Sequence, residues 1–151
     1  MDIGAYESPF DALEITPDVN NILYVTVNGA GTKNASSWDN ASDNLNLVLA
    51  MASSMNPKPT VWIAEGTYYG DGVNTSAFRM VAGVNVYGGF AGTETSLEER
   101  DYESHPTILD GQNTQRVLSQ GASFSSVDEA AIWDGFIIEH GRLNSGSGAG
   151  V

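Results

Sequence analysis

Apolar and polar residues alternate along most of this chain in short runs, the signature of half-buried strands rather than helices. Ile22-Leu23-Tyr24-Val25-Thr26-Val27-Asn28 is the first such run, rich in β-branched and aromatic residues and closed by the turn pair Asn28-Gly29. Thr67 to Tyr69, Phe78 to Val81, Gln115 to Leu118 and Phe136 to Glu139 read the same way. One segment departs from the pattern. Leu45, Val48, Leu49, Ala52 and Met55 fall at i, i+3, i+4, i+7 and i+10, which draws one apolar stripe down a helix that Ser42 or Asp39 caps and Asn56-Pro57 ends.

Four more strand-like runs close on a glycine: Val61 to Gly66, Val84 to Gly88, Thr107 to Gly111 and Ala131 to Gly135. The glycines are 22, 23 and 24 residues apart (66 to 88, 88 to 111, 111 to 135). A period of that size predicts stacked supersecondary units, each buried by its neighbours. It places Glu65, Tyr87, Asp110 and Asp134 in one column, each directly before its glycine. A stack needs its first apolar cross-section covered, and the amphipathic helix just before the first repeated strand suits that task, with Trp38 as a plug beneath it. A smaller helix is predicted at Ser96 to Arg100, where Ser96 and Glu99 form a capping box. It falls between two repeated strands and so decorates the stack as an insertion.

Charge narrows the partners. Six Lys and Arg against 19 Asp and Glu give a formal net charge of −13, which repels phosphate backbones and anionic lipid and sets nucleic acid aside. The acidity reads as solubility before cation capture. With no cysteine there are no disulfides or thiolate metal sites. No apolar run approaches the ~20 residues of a membrane helix, so no membrane insertion of this segment is expected. Residues 1–10 lack the basic-then-apolar order of a signal peptide, and the last residues are Gly/Ser-rich; both ends read as cuts through a longer protein.

Candidate chemistry is sparse. As neighbours in the glycine column, Asp110 and Asp134 are the pair that could act as the two carboxylates of a glycoside hydrolase or hold calcium through oxygen ligands. The simpler reading is Asp-Gly turn chemistry. A polysaccharide lyase needs a basic residue, and Arg79, Arg116 and Arg142 are scattered through the repeated part without a cluster. His105 and His140 sit in turn contexts and read as turn residues rather than metal ligands. Trp62, Tyr68, Tyr69, Tyr87, Phe90, Tyr102 and Trp133 are sugar-stacking platforms where exposed, with half or more expected inside the stack. Asn34, Asn40 and Asn74 head tripeptides of the N-glycosylation pattern.

Ile22 to Val25 followed by Gly29-Ala30-Gly31-Thr32 and Ser36 to Ala41, then Ile63 to Tyr69, Val86 to Asp101, Thr107 to Gly111 and Asp134 to Ile138, resembles the start of pectin-lyase-like parallel β-helix domains of large bacterial surface proteins, among them polymorphic outer-membrane-protein-like and adhesin-like chains. Tyr87 to Asp101 is the most specific stretch. Asp2 to Glu7 resembles the closing strand of such a domain. The resemblance implies an all-β fold, the helix-capped N-terminal portion of a right-handed single-stranded parallel β-helix over residues 22–141. Residues 1–21 are then a linker or the tail of a preceding module, and 142–151 a tail. It implies exposure at the cell surface within a longer exported protein and supplies no catalytic residues. The expected role is a non-catalytic structural or adhesive module. The alternatives are a carbohydrate-active enzyme or its remnant, built on Asp110 and Asp134, and a module binding polysaccharide or host and cell-surface glycans. The apolar C-terminal end of the stack, at Phe136, Ile137 or Ile138, predicts end-to-end self-association or a tail folded over that end.

Overall fold

The computed structural model describes residues 14–70, 76–120 and 130–142. Strand accounts for 34% of the described residues and helix for 12%, a composition that fits the all-β class. The first sheet runs β1 (Ile22–Val25), β2 (Thr60–Ala64), β5 (Val86–Phe90), β8 (Trp133–Asp134). The second runs β3 (Gly66–Tyr69), β6 (Thr107–Asp110), β9 (Phe136–Glu139), and the third pairs β4 (Ser76–Met80) with β7 (Arg116–Gln120). Every strand pair is parallel. The chain visits the sheets in one order on each pass: β2, β3, β4, then β5, β6, β7, then β8, β9.

Alternation decides which side chains fill the space between the sheets. Leu23 lies beside Val61 and Val61 beside Val86, with Val25 on Ile63, Tyr68 on Leu109 and Phe78 on Leu118, all of them buried. Each such side chain contributes on the order of 1.5–3 kcal/mol by leaving water. The helix α1 (Leu45–Ala52) adds Leu45, Val48, Leu49 and Ala52 to the same core, as the stripe predicts, with Met55 partly buried against it. Its N-cap is Asn44, whose side chain accepts from the Leu47 N–H at 3.0 Å. Ser42 and Asp39 are used elsewhere: Ser42 bridges to Val25, and Asp39 lies in a short 3-10 turn, Trp38–Asn40. The Asn46 amide donates to the Ala77 carbonyl of β4 at 3.1 Å, so the helix meets the rest of the fold through both a polar and an apolar contact.

Three expectations need correction. The four glycines do not form one column. Val61 meets Val86, 25 residues on, whereas Gly66 meets Thr107, 41 residues on, and Val86 meets Trp133, 47 residues on. Sheet pairing preserves the strand registers while surface connections vary, because lengthening a loop adds little closure entropy. Gly66 opens β3, Gly88 lies inside β5, Gly111 follows β6 and Gly135 separates β8 from β9. Gly88 and Gly135 do adjoin: a Cβ on Gly88 would stand 2.7 Å from the Gly135 carbonyl oxygen.

Trp38 is not beneath the helix. It packs with Tyr24, Trp62 and Phe90 on the opposite face of the first sheet, its ring 4.9 Å from Tyr24 and 5.6 Å from Phe90. That sheet is therefore apolar on both faces. Residues 14–21, placed in a linker by their prolines and polarity, also pack on the first circuit. Ile15 belongs to the core, the Thr16 N–H donates to the Asn34 carbonyl, and Asp18 accepts from the Tyr24 hydroxyl at 2.6 Å. Residues 1–13, with the expected closing strand Asp2 to Glu7, lie outside the described residues.

The connection between β5 and β6, residues 91–106, folds back over the outer aromatic layer. Glu94 organises it. Its buried carboxylate accepts from the backbone N–H groups of Ala91, Gly92 and Thr93 at 2.8–3.0 Å, while its carbonyl accepts from the Trp38 indole at 2.9 Å. Burial alone would raise the Glu94 carboxyl, but these backbone donors outweigh it and hold the group below its ordinary pKa. A 3-10 turn follows at Leu97–Glu99, with the predicted Ser96/Glu99 capping box present on both sides. The stretch from Tyr87 to Asp101 thus spends its distinctive residues on folding.

Candidate functional site

Register separates the two aspartates expected to be neighbours. Asp110, in β6, stands between Tyr69 of β3 and Glu139 of β9; Asp134, in β8, stands beside Tyr87 of β5. They belong to different sheets, and the column that would have paired them does not form.

Asp134 is bound to Arg100, whose Nη2 donates to its carboxylate and whose Nη1 donates to the carbonyls of Gly88 and Asp134 at 3.2 and 3.3 Å. The guanidinium lies over the Tyr87 ring, 5.1 Å from its centroid. Asp134 therefore anchors the 91–106 connection to the next circuit. The chain neighbours of Arg100, Glu99 and Asp101, are held by local backbone N–H groups: Glu99 by Thr95 and Ser96, and Asp101 by Ser104 and Glu103.

Asp110 is the buried member, and it gathers a different set. One of its oxygens accepts from the Gln112 N–H at 2.7 Å, and the other meets His140 Nδ1 at 3.1 Å. A Glu139 oxygen lies 3.7 Å from the same nitrogen. One ligand atom from each of Asp110, Glu139 and His140 can be chosen so that all three lie within 4.8 Å of one another. The hydrogen bond to the Asp110 carboxylate and the charge of Asp110 raise the pKa of His140; desolvation opposes them, and the charge of Glu139 adds a smaller upward push. The surrounding backbone is tied down: Gly111 N–H to the Glu139 carbonyl at 3.0 Å, Asn113 N–H to the His140 carbonyl at 2.8 Å, and Arg142 N–H to the Gln115 carbonyl at 2.9 Å.

The sequence reading sets His140 down as a turn residue; the structure brings it against Asp110. The signal was available, because aligning Thr107–Asp110 with Phe136–Glu139 brings Glu139-His140 beside Asp110, but the glycine period set Asp110 against Asp134 instead. His105 is separate; its Nδ1 lies 3.3 Å from a Glu65 carboxylate oxygen. The three arginines do not converge on the acidic group: Arg79 and Arg116 lie in the third sheet, and Arg142 donates to the Asn113 carbonyl at 3.5 Å. Among the aromatic candidates, Trp62, Tyr68 and Phe90 are buried, Tyr87 and Trp133 are half-buried, and Tyr69 and Tyr102 are exposed. Asn34 and Asn40 use their side-chain oxygens in local turns, accepting from Ser36 and Thr32, and Asn74 lies outside the described residues.

No helix among the described residues is long and apolar enough to cross a membrane. Comparison with protein-family profiles, with curated proteins and with solved structures returns no match.

Proposed function

We propose that the chain is the helix-capped N-terminal portion of a right-handed single-stranded parallel β-helix of the pectin-lyase-like kind, serving as a non-catalytic structural or adhesive module of a bacterial cell-surface protein. The observation that carries this reading is the commitment of the resemblance's most specific residues to folding. Glu94 and Glu99 fold the 91–106 connection on itself, and Arg100 with Asp134 holds it onto the first sheet. Handedness follows from the strong preference of parallel crossovers for the right hand. The ordered visits to three parallel sheets and the helix over the first circuit support the stack.

Two experiments test the two halves of this reading. Incubation with acidic and neutral polysaccharides, with and without calcium, is expected to yield neither unsaturated products nor new reducing ends. Turnover lost in Asp110→Asn or Asp134→Asn would overturn the non-catalytic assignment. Antibody raised against the chain should label intact cells of the source organism. Labelling confined to permeabilised cells would remove the surface location.

The same reading extends to self-association. β8 and β9 occupy the outer positions of their sheets among the described residues, and Ile137 and Ile138 remain 46% and 39% exposed there. Sedimentation velocity should show concentration-dependent association that Ile137→Lys weakens, and a monomer at every concentration would rule it out.

A further inference from the structure

We propose that Asp110, Glu139 and His140 form a binding site for a divalent first-row transition cation, of the zinc, cobalt or manganese type, that staples the second circuit to the third. The scaffold reading neither requires this site nor depends on it.

The geometry carries the argument. A cation held at about 2.0–2.2 Å by nitrogen and oxygen ligands places neighbouring ligand atoms about 3 to 3.5 Å apart. His140 Nδ1 stands 3.1 Å from the Asp110 oxygen and 3.7 Å from the Glu139 oxygen, close to the edges of such a polyhedron. A single imidazole nitrogen therefore meets two carboxylates from two strands, and the three ligand atoms all lie within 4.8 Å of one another. The ligand chemistry selects the class. An imidazole among carboxylates suits borderline cations, whereas calcium prefers six to eight oxygens, so the nitrogen of His140 turns this site away from calcium.

The ligands are also oriented before any ion arrives. Asp110 has its first oxygen fixed by the Gln112 N–H, which leaves the second aimed at His140. The backbone of residues 139 and 140 is bonded to Gly111 and Asn113, so the His140 and Glu139 main chain cannot drift from Asp110. Support of this kind fixes ligand direction as outer-shell hydrogen bonds do in metal sites. Half of the His140 and Glu139 side chains faces water, which leaves open positions for water ligands and an entry path.

The test uses the full chain and Co²⁺ as the probe, read by its visible absorption, with Zn²⁺ competition and Ca²⁺ as a control. One equivalent should bind, Zn²⁺ should displace it, and Ca²⁺ should bind more weakly than either. His140→Ala and Glu139→Gln, both at half-exposed positions, should each lower affinity by about tenfold or more. His105→Ala should leave it unchanged. Zn²⁺ should raise the melting temperature of the parent chain but not of His140→Ala. Binding that survives His140→Ala, the absence of a cobalt spectrum at millimolar metal, or tighter binding of Ca²⁺ would each overturn the assignment.

Discussion

Arg100 lies over the ring of Tyr87 and closes on the carboxylate of Asp134, joining a surface connection, the strand it leaves and the strand stacked beside that one. The pair is unequal: the Arg100 side chain is 16% exposed and that of Asp134 54%. Arg100→Ala removes the ring contact and three acceptors' donor together, at an expected cost of about 1–2 kcal/mol. Asp134→Asn leaves the ring contact and should cost well under 1 kcal/mol, as exposed ion pairs do. Urea unfolding of both variants and their double mutant checks this; an Arg100→Ala variant as stable as the parent would remove Arg100 from the account.

Gly135 and Gly92 both hold positive φ, 88° and 105°, but only one is crowded. A Cβ at Gly135 would come within 2.6 Å of the Gly88 carbonyl oxygen, whereas at Gly92 the nearest atom is 4.0 Å away. Gly92→Ala should therefore show backbone strain alone, about 1 kcal/mol, and Gly135→Ala should lose at least about 1 kcal/mol more. Equal losses in thermal unfolding would mean that the β8–β9 corner relaxes freely.

Glu94 sets an acid limit. Its folded pKa lies below the ordinary 4.5, so its contribution is complete above the unfolded value and is lost as pH falls through the folded one. Stability should decline on acidification below about pH 4.5 with a component that Glu94→Gln abolishes. At pH 7, replacing the charged acceptor of several backbone donors should cost about 2 kcal/mol. Trp38 fluorescence is a local reporter, since its indole bonds the Glu94 carbonyl. A pH profile identical in the variant would show that the loop does not depend on the charge.

The helix makes a further test of the stack. Val48 is fully buried, so Val48→Asp places a charge in the core and is expected to cost more than about 3 kcal/mol, with dye binding or aggregation. Asn46→Ala removes only the bond to Ala77 and should cost about 1 kcal/mol. A soluble, cooperatively folding Val48→Asp variant would argue that the helix is an appendage rather than a cover.

Local pattern made much of the architecture readable in advance. The apolar stripe of Leu45, Val48, Leu49 and Ala52 found the helix because one face of a 3.6-residue period meets one core. The Ser96/Glu99 capping box was legible because both of its bonds lie within one turn. Register was not legible. Strand pairing depends on which residues meet across connections of unequal length, and the glycine spacing coincided with no single corner. The same coincidence joined Asp110 to Asp134 and hid His140. Trp38 was misplaced because a lone aromatic in a loop does not reveal that a sheet is apolar on both faces.

The corner between the first and second sheets turns through Gly66 in one circuit and through residues 91–106 in the next, yet Gly66 still meets Thr107, and Thr107 still meets Phe136. Stacking is thus indifferent to what the corner carries. The tight Gly66 and Gly135 corners leave no room for cargo, so a surface insertion belongs where the chain already carries one, in the 91–106 connection, and leaves the rise of about 4.8 Å per circuit unchanged.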